Sequence, residues 1–321
     1  MALTLDDLFA SPDHYLHSFE GGAAVFMPMD RAAYHRSIFL DGRISPAADQ
    51  VMKLPAEALA DPDRKPASTG WIFHVAHCGS TLLARALDRP SANLVLREPL
   101  ALRQMALAPD PARLGLTLAM LSKRYRGDLP TIVKANVPVN FLLPALVAAD
   151  PGAPAVFLYA TLPDYLLAIL RSDNHRDWLR RVTGQLAAYL GPLDGVSDAE
   201  RCAALWLAQI RAFAEALSLM PNARALDSED FFATPQPVLR AAADRLGVEM
   251  SDPEIEATVH GPLFSTYSKN PEQAFDNEAR LARRAALEAP LAKEMDEARR
   301  WIEAAAAGDP AAALRHAALL A

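Results

Sequence analysis

The chain has 321 residues, 51% of them hydrophobic and 22% charged, with a formal net charge of −7 at pH 7. That balance excludes intrinsic disorder and leaves room for a large core, in one large domain with appendages or in two domains. The acidic balance argues against a nucleic-acid partner, and the two cysteines, Cys78 and Cys202, give no disulfide framework, so a reducing, cytoplasmic setting is expected.

In chain order, Met1-Ala2-Leu3-Thr4-Leu5-Asp6-Asp7 is acidic where a signal peptide would be basic, so none is expected. Residues 1–66 read as an N-terminal extension. Short strands and turns are expected around Phe19-Glu20-Gly21-Gly22, Val25-Phe26-Met27 and Ser37-Ile38-Phe39-Leu40-Asp41, and a linker around Pro55, Pro62 and Pro66. From 67 to 275 the pattern alternates. Strand-like runs fall at 71–75, 93–97, 131–134, 155–159 and 223–227, with helical spacing near 80–88, 111–125, 138–149, 163–190, 198–219 and 235–246. Short apolar strands separated by helices predict an α/β fold, with a central, mostly parallel sheet covered by helices on both faces. Its ligand edge is the one carrying the loops at the strand C-termini. The most apolar stretch, Phe141 to Leu162, is broken by Pro144, Asp150, Pro151 and Pro154, so no membrane span is expected there. Trp206, Ile210, Phe213 and Leu217 follow helical spacing and read as core, with Cys202 a buried thiol on the same helix. Residues 276–321 form a C-terminal helical segment. Its Arg280, Arg283 and Arg284, with Glu278 and Glu288, form a solvated face or reach a ligand.

The most informative segment is Trp71-Ile72-Phe73-His74-Val75-Ala76-His77-Cys78-Gly79-Ser80-Thr81-Leu82-Leu83, which reads as strand, tight loop, helix. The N–H groups of such a loop and first helical turn lack intrahelical partners and converge at the positive end of the helix dipole, where an anion is favoured. Ser80 and Thr81 add hydroxyl donors. The ATP-type pattern G-x-x-x-x-G-K-[ST] is absent. A cysteine-phosphatase loop needs Arg six residues after Cys78, where Ala84 stands and Arg85 follows. Three readings stay open here: an anion-holding loop, a loop whose helix N-terminus favours a Cys78 thiolate, and a turn that binds nothing. His14-x-x-His17 and His74-x-x-His77 lack the spacing of a zinc motif, so no metal is expected. His74 reads as a packed histidine.

Apolar strand, small polar residues, Cys78-Gly79-Ser80-Thr81-Leu82-Leu83 resembles the 5′-phosphosulfate loop of the sulfotransferases that use 3′-phosphoadenosine 5′-phosphosulfate (PAPS). Three further segments follow in that family's order. Leu96-Arg97-Glu98-Pro99 is similar to a motif after the second strand of many bacterial members, and Ile132-Val133-Lys134-Ala135-Asn136 occupies the third-strand position. Ala223 to Phe232, followed by Pro235, Leu239 and Leu246-Gly247-Val248, is similar to its fifth-strand segment. The resemblance, over residues 70–275, implies a three-layer P-loop-type fold. It also implies PAPS as sulfuryl donor, PAP as product, and a small-molecule hydroxyl or amine as acceptor. His77, Cys78, Gly79, Ser80, Thr81 and Leu82 would then cradle the phosphosulfate, with Arg171, Ser172 and Lys269 as further cofactor contacts. His77 stands where the family has Lys or Arg, and would supply a positive charge or a proton, or simply bond to backbone. Tyr159-Ala160-Thr161-Leu162-Pro163-Asp164 lacks the Arg of the family's 3′-phosphate motif, and Arg171 and Ser172 lie about two turns further on. Glu98 is the expected general base, unless it only partners Arg97 or Arg103. Lys134 neutralises the sulfonate or pairs with Glu98, and Asn136 is a neutral donor beside it. An acceptor pocket is expected from loops and helices of 103–127, 173–197 and the N-terminal 50 residues, where no motif names a substrate. The alternative function is a non-catalytic P-loop-fold protein that binds a nucleotide or phosphorylated ligand.

Overall fold

Short runs of apolar residues bounded by turn formers build the central sheet. In the computed structural model, which describes residues 3–61, 63–275 and 277–320, β1 (His14–Glu20), β2 (Ala23–Pro28) and β3 (Met52–Pro55) form an antiparallel sheet. Pro62, part of the expected linker, lies outside the described residues. The strands β4 (Gly70–His74), β5 (Leu94–Arg97), β6 (Thr131–Lys134), β7 (Ala155–Tyr159) and β8 (Ala223–Asp227) make one parallel sheet in the order β5-β6-β4-β7-β8. Every residue of β4 to β7 is buried, as a parallel sheet covered on both faces requires. Stacked rings of Trp71 on Phe73 and of Phe73 on Phe157 run across it, and Phe213 of the Asp198–Leu219 helix packs against Phe157 at 5.0 Å between ring centroids. That helix is long and apolar enough to cross a membrane, but its apolar side is spent inside the fold: Leu205, Ile210 and Phe213 are wholly buried.

From β4 the chain crosses to β5 on one side, whereas the connection leaving β7 runs to β8 on the other. Right-handed crossovers in opposite directions place helices on opposite faces and open a crevice beyond the C-terminal ends of β4 and β7. The fold is therefore the three-layer α/β architecture expected. All five expected strands are present, each within a residue of the expected bounds.

The N-terminal extension is docked by polar contacts as well as by shared core. Phe19 N–H donates to Gln104 Oε1 at 2.7 Å, and Gln104 Nε2 donates back to Phe19 C=O at 2.9 Å. Buried Arg97 donates to the carbonyls of Tyr34 and Ser37 and to Asp88. The segment around Phe39 is not a strand. It is strapped beside the end of β5 by Leu40 N–H to Arg97 C=O (2.7 Å) and Leu100 N–H to Leu40 C=O (3.2 Å). At the other edge, Ala317 to Leu319 bonds to Ala225 of β8 and covers that strand. The stretch 163–190 is three helices, Leu162–Leu170, Asp173–Gln185 and Ala187–Leu190. The first break is at Arg171-Ser172, where Ser172 turns to extended backbone (φ −158°, ψ 155°) and presents both residues to the crevice. Beyond β8, a hairpin of β9 (Thr266–Tyr267) and β10 (Asn270–Ala274) leads into the Asn277–Ala305 helix, and both overhang the same crevice.

Candidate active site

The loop after β4 turns through left-handed backbone at His77 (φ 61°) and at Gly79 (φ 85°). Gly79 is required twice over, by its φ and because a Cβ there would come within 2.9 Å of Phe232 Cζ. Among the described residues only His77 and Glu98 (φ 56°) adopt positive φ without being glycine, and both stand at the C-terminal edge of the sheet. Such backbone costs ~1–3 kcal/mol per residue and collects at functional sites. Gly79 C=O accepts the Leu83 N–H (3.1 Å), which begins the Ser80–Ala86 helix and leaves its first-turn N–H groups without intrahelical partners. Thr81 is 2% exposed, and its Oγ1 has no hydrogen-bond partner among the described residues. Cys78 is different. Its Sγ donates to Val75 C=O at 2.7 Å, and burial pushes its pKa up to about 12. A protonated thiol turned onto backbone is not a nucleophile, so that reading of the loop falls.

Two cavities flank the loop. The larger, of about 750 Å³, is lined by all nine residues expected to contact the cofactor: His77, Cys78, Gly79, Ser80, Thr81, Leu82, Arg171, Ser172 and Lys269. It also takes in Arg280, Arg283 and Arg284 from the Asn277–Ala305 helix. Arg280 grips Glu229 with two bonds (2.8 and 2.9 Å) and lies 4.2 Å over the Phe232 ring, while Arg284 pairs with Asp164 at 2.5 Å. Five cations (Arg171, Lys269, Arg280, Arg283, Arg284) face two carboxylates (Asp164, Glu229) in a chain whose net charge is −7. The cleft is a local basic site on an acidic protein.

The smaller cavity, of about 440 Å³, holds Glu98, His74 and Asn136, with Phe39, Asp41 and Arg43 from the N-terminal extension and Trp178, Arg181 and Gln185 from the Asp173–Gln185 helix. Glu98 accepts from Lys134 Nζ at 2.5 Å, and neither Arg97 nor Arg103 pairs with it. Lys134 is wholly buried, lies 3.0 Å from His74 Nε2 and reaches neither cavity, so it stands behind Glu98. Burial works to raise the Glu98 pKa, but the charge of Lys134 and the hydrogen bond from it outweigh that and hold the carboxyl below its usual value. Glu98 is therefore ionised. Burial, with the nearby Lys134 charge, pushes His74 down to about 3. Each ring nitrogen of the neutral His74 faces a backbone carbonyl at 2.9 Å, Nδ1 that of Val75 and Nε2 that of Ala135, with Lys134 Nζ 3.0 Å from Nε2, so the nitrogen that carries the proton donates to one carbonyl.

Three residues line both cavities: His77, His175 and Lys269. The His77 and His175 rings lie 4.6 Å apart, and His175 is held by Ser172 Oγ at 2.5 Å. Burial first, and then the Lys269 charge, push His77 well below the usual histidine range. It is a neutral hydrogen-bonding ring rather than a standing positive charge. The charge at this junction belongs to Lys269, which has no hydrogen bond or ion pair among the described residues.

The neutral histidines give a pH signature. The unfolded chain takes protons on His74 and His77 below pH ~6.5, and the folded protein does not, so the unfolded state binds more protons and stability falls as pH falls. At one unit below the unfolded pKa each histidine costs roughly 1.4 kcal/mol. Denaturant midpoints are expected to drop between pH 8 and pH 5.5. A midpoint that holds or rises over that range would mean that these rings are charged in the folded state.

The smaller cavity draws on 173–185, on Arg103 and on Phe39 to Arg43, all within the segments expected to build an acceptor pocket. Sequence reading does not single out His175 or Trp178, whose placement follows from the helix break at Arg171-Ser172 that no Gly or Pro marks, nor Phe39 to Arg43, whose placement depends on Arg97 holding the extension against β5. No protein-family model matches the chain, and no curated protein matches it. Among solved structures it is similar to the sulfotransferase domain from the curacin biosynthetic pathway, with 14% identity over 62% of this chain and 80% of that one and a TM-score of 0.40. It is also similar to a sulfotransferase from Alicyclobacillus acidocaldarius, with 16% identity over 74% of this chain and 96% of that one and a TM-score of 0.37.

Proposed function

We propose that the protein is a sulfotransferase-like enzyme that moves a sulfuryl group from PAPS in the larger cavity to a hydroxyl or amine of a small molecule in the smaller one. The observation that carries this is the meeting of two cavities at His77, His175 and Lys269, with ionised Glu98 on the acceptor side. Two bound molecules facing each other across a cationic junction suit group transfer, whereas storage of a nucleotide needs only one cavity. Several residues fit a phosphosulfate: the first-turn N–H groups, the Ser80 hydroxyl, the unpartnered Thr81 hydroxyl, and the excess of cations.

PAPS supplies an activated sulfuryl group on a phosphate leaving group, and the chain supplies position and charge. The loop N–H groups with Ser80 and Thr81 hold the 5′ end. Lys269 offsets the negative charge of the sulfonate as it passes between the cavities, and neutral His77 donates a hydrogen bond toward the bridging oxygen. Glu98 takes the acceptor proton as the new bond to sulfur forms, and Lys134 keeps Glu98 ionised and in place. Arg171 and Arg283 line the larger cavity and have no ion-pair partner among the described residues, so they are the groups free to meet a second phosphate of the nucleotide.

A second reading, nucleotide binding without transfer, is favoured by Thr161. Its hydroxyl is used up capping its own helix, donating to Asp164 Oδ2 at 2.8 Å, and no Arg precedes it. Replacing Ser80 and Thr81 together by Ala tests where the nucleotide sits. Losing two hydrogen bonds to a charged group at ~1.5 kcal/mol or more each should weaken PAP binding roughly 100-fold by calorimetry. Unchanged affinity would put the nucleotide elsewhere.

A further inference from the structure

The smaller cavity carries more positive charge than transfer requires. Four of its lining side chains are cations (Arg43, Arg103, Arg181, Lys269) and two are carboxylates (Asp41, Glu98). Asp41 is taken by Arg43, which bonds it at 2.9 and 2.6 Å while lying 3.9 Å over the Phe39 ring. Glu98 is taken by Lys134 from behind. Lys269 belongs to the junction, where the sulfonate passes. That leaves two guanidinium groups without work. Partly buried Arg103 donates only to the neutral Gln185 Oε1 at 3.0 Å, and Arg181, which lines the cavity from its exposed side, has no hydrogen bond or ion pair among the described residues. Arg103 comes from the Leu100–Leu107 helix and Arg181 from the Asp173–Gln185 helix, so two separate elements bring a cation to one cavity. Trp178, partly buried and perpendicular to the His77 ring, adds an apolar face to the same cavity.

We infer that the acceptor is an oxyanion-bearing small molecule: its hydroxyl or amine faces Glu98 and its carboxylate or phosphate is held by Arg103 and Arg181. The inference rests on the transfer reading for the word acceptor, but the anion subsite stands or falls by itself. Guanidinium is suited to such a group because its planar fork pairs with two oxygens at once. An acceptor of this kind would be anchored at its far end, which fixes the approach of its nucleophilic oxygen or nitrogen to the junction.

The test uses the full chain with PAP bound and compares matched ligands by calorimetry: 4-hydroxybenzoate and 3-hydroxybutyrate against their amides, and 4-hydroxyphenyl phosphate against its neutral dimethyl ester. At least one anion is expected to bind tenfold or more tightly than its neutral counterpart, with the carboxylate and phosphate arms showing which oxyanion fits. Arg103→Gln with Arg181→Gln should abolish that preference and leave PAP affinity within twofold of the native value. If no anion is preferred, or if the preference survives the double replacement, the inference is wrong. PAP binding is read in the same titrations. Absence of PAP binding with the anion preference intact would sink the transfer reading and leave the subsite, whereas PAP binding without preference would do the reverse.

Discussion

Replacing Glu98 by Gln is expected to slow sulfuryl transfer by ~10²–10⁴, the usual contribution of a positioned general base, while PAP affinity stays unchanged. Glu98 earns this weight from three properties together. It lies on the smaller cavity and not on the larger one; it is ionised; and its backbone is held at φ 56°, a conformation that its neighbours must enforce. Gln keeps the size and can still accept from Lys134 at its carbonyl oxygen, but it leaves the buried ammonium without a countercharge, so denaturant unfolding of the variant is measured beside its rate. What it cannot do is take a proton. The measurement is transfer from sulfur-radiolabelled PAPS to whichever acceptor supports turnover by the native chain, paired with PAP calorimetry on both proteins. A variant with native rate would remove Glu98 from the chemistry, and a variant that lost PAP binding would make it a structural residue.

The second large effect is on stability. Lys134→Met should cost about 3 kcal/mol, the low end of the range for breaking a buried ion pair, because the Glu98 side chain keeps 16% of its surface on the cavity. Without the ammonium, burial is no longer opposed and the carboxyl pKa rises, so the site loses its ionised base as well. The Glu98→Gln, Lys134→Met double variant leaves no charge stranded and should recover most of that stability, since a neutral pair of similar volume replaces a buried ionic one. Denaturant unfolding of the four proteins gives the coupling directly. Additive losses would show that Lys134 contributes only packing.

The five strands of the sheet are legible because each is a short apolar run ending at a polar or turn-forming residue, and the stiff geometry of a buried strand leaves little else for Ile72, Val133 or Phe157 to do. The loop is legible for a similar reason: Gly79 and the hydroxyls of Ser80 and Thr81 sit where strand gives way to helix, and the chemistry there is mostly backbone. The two cavities are another matter. His175 faces His77 only because of a helix break that no Gly or Pro announces, and the N-terminal Phe39 and Arg43 reach Glu98 only through Arg97, a buried cation with its partners some sixty residues away in sequence. Lys134 reads from sequence as a group at the strand end. Its burial behind Glu98, with His74 against it, follows from register with β4, which pairs Ile72 with Lys134. The charges of the cleft likewise depend on which residues pair: Arg280 is spent on Glu229, while Lys269 has no partner among the described residues.

Thermal unfolding with and without PAP shows whether the folded protein holds the nucleotide. A ligand bound only to the folded protein adds ~2.7 kcal/mol at 100 times its dissociation constant. At ~2.1 cal/mol/K per residue, that is a rise of roughly 4 °C in Tm for a chain of this length. Tm is expected to rise by that amount with PAP and by less with AMP, which lacks the 3′-phosphate, and the PAP effect is expected to be lost in the Ser80→Ala, Thr81→Ala variant. A Tm unmoved by millimolar PAP would contradict nucleotide binding.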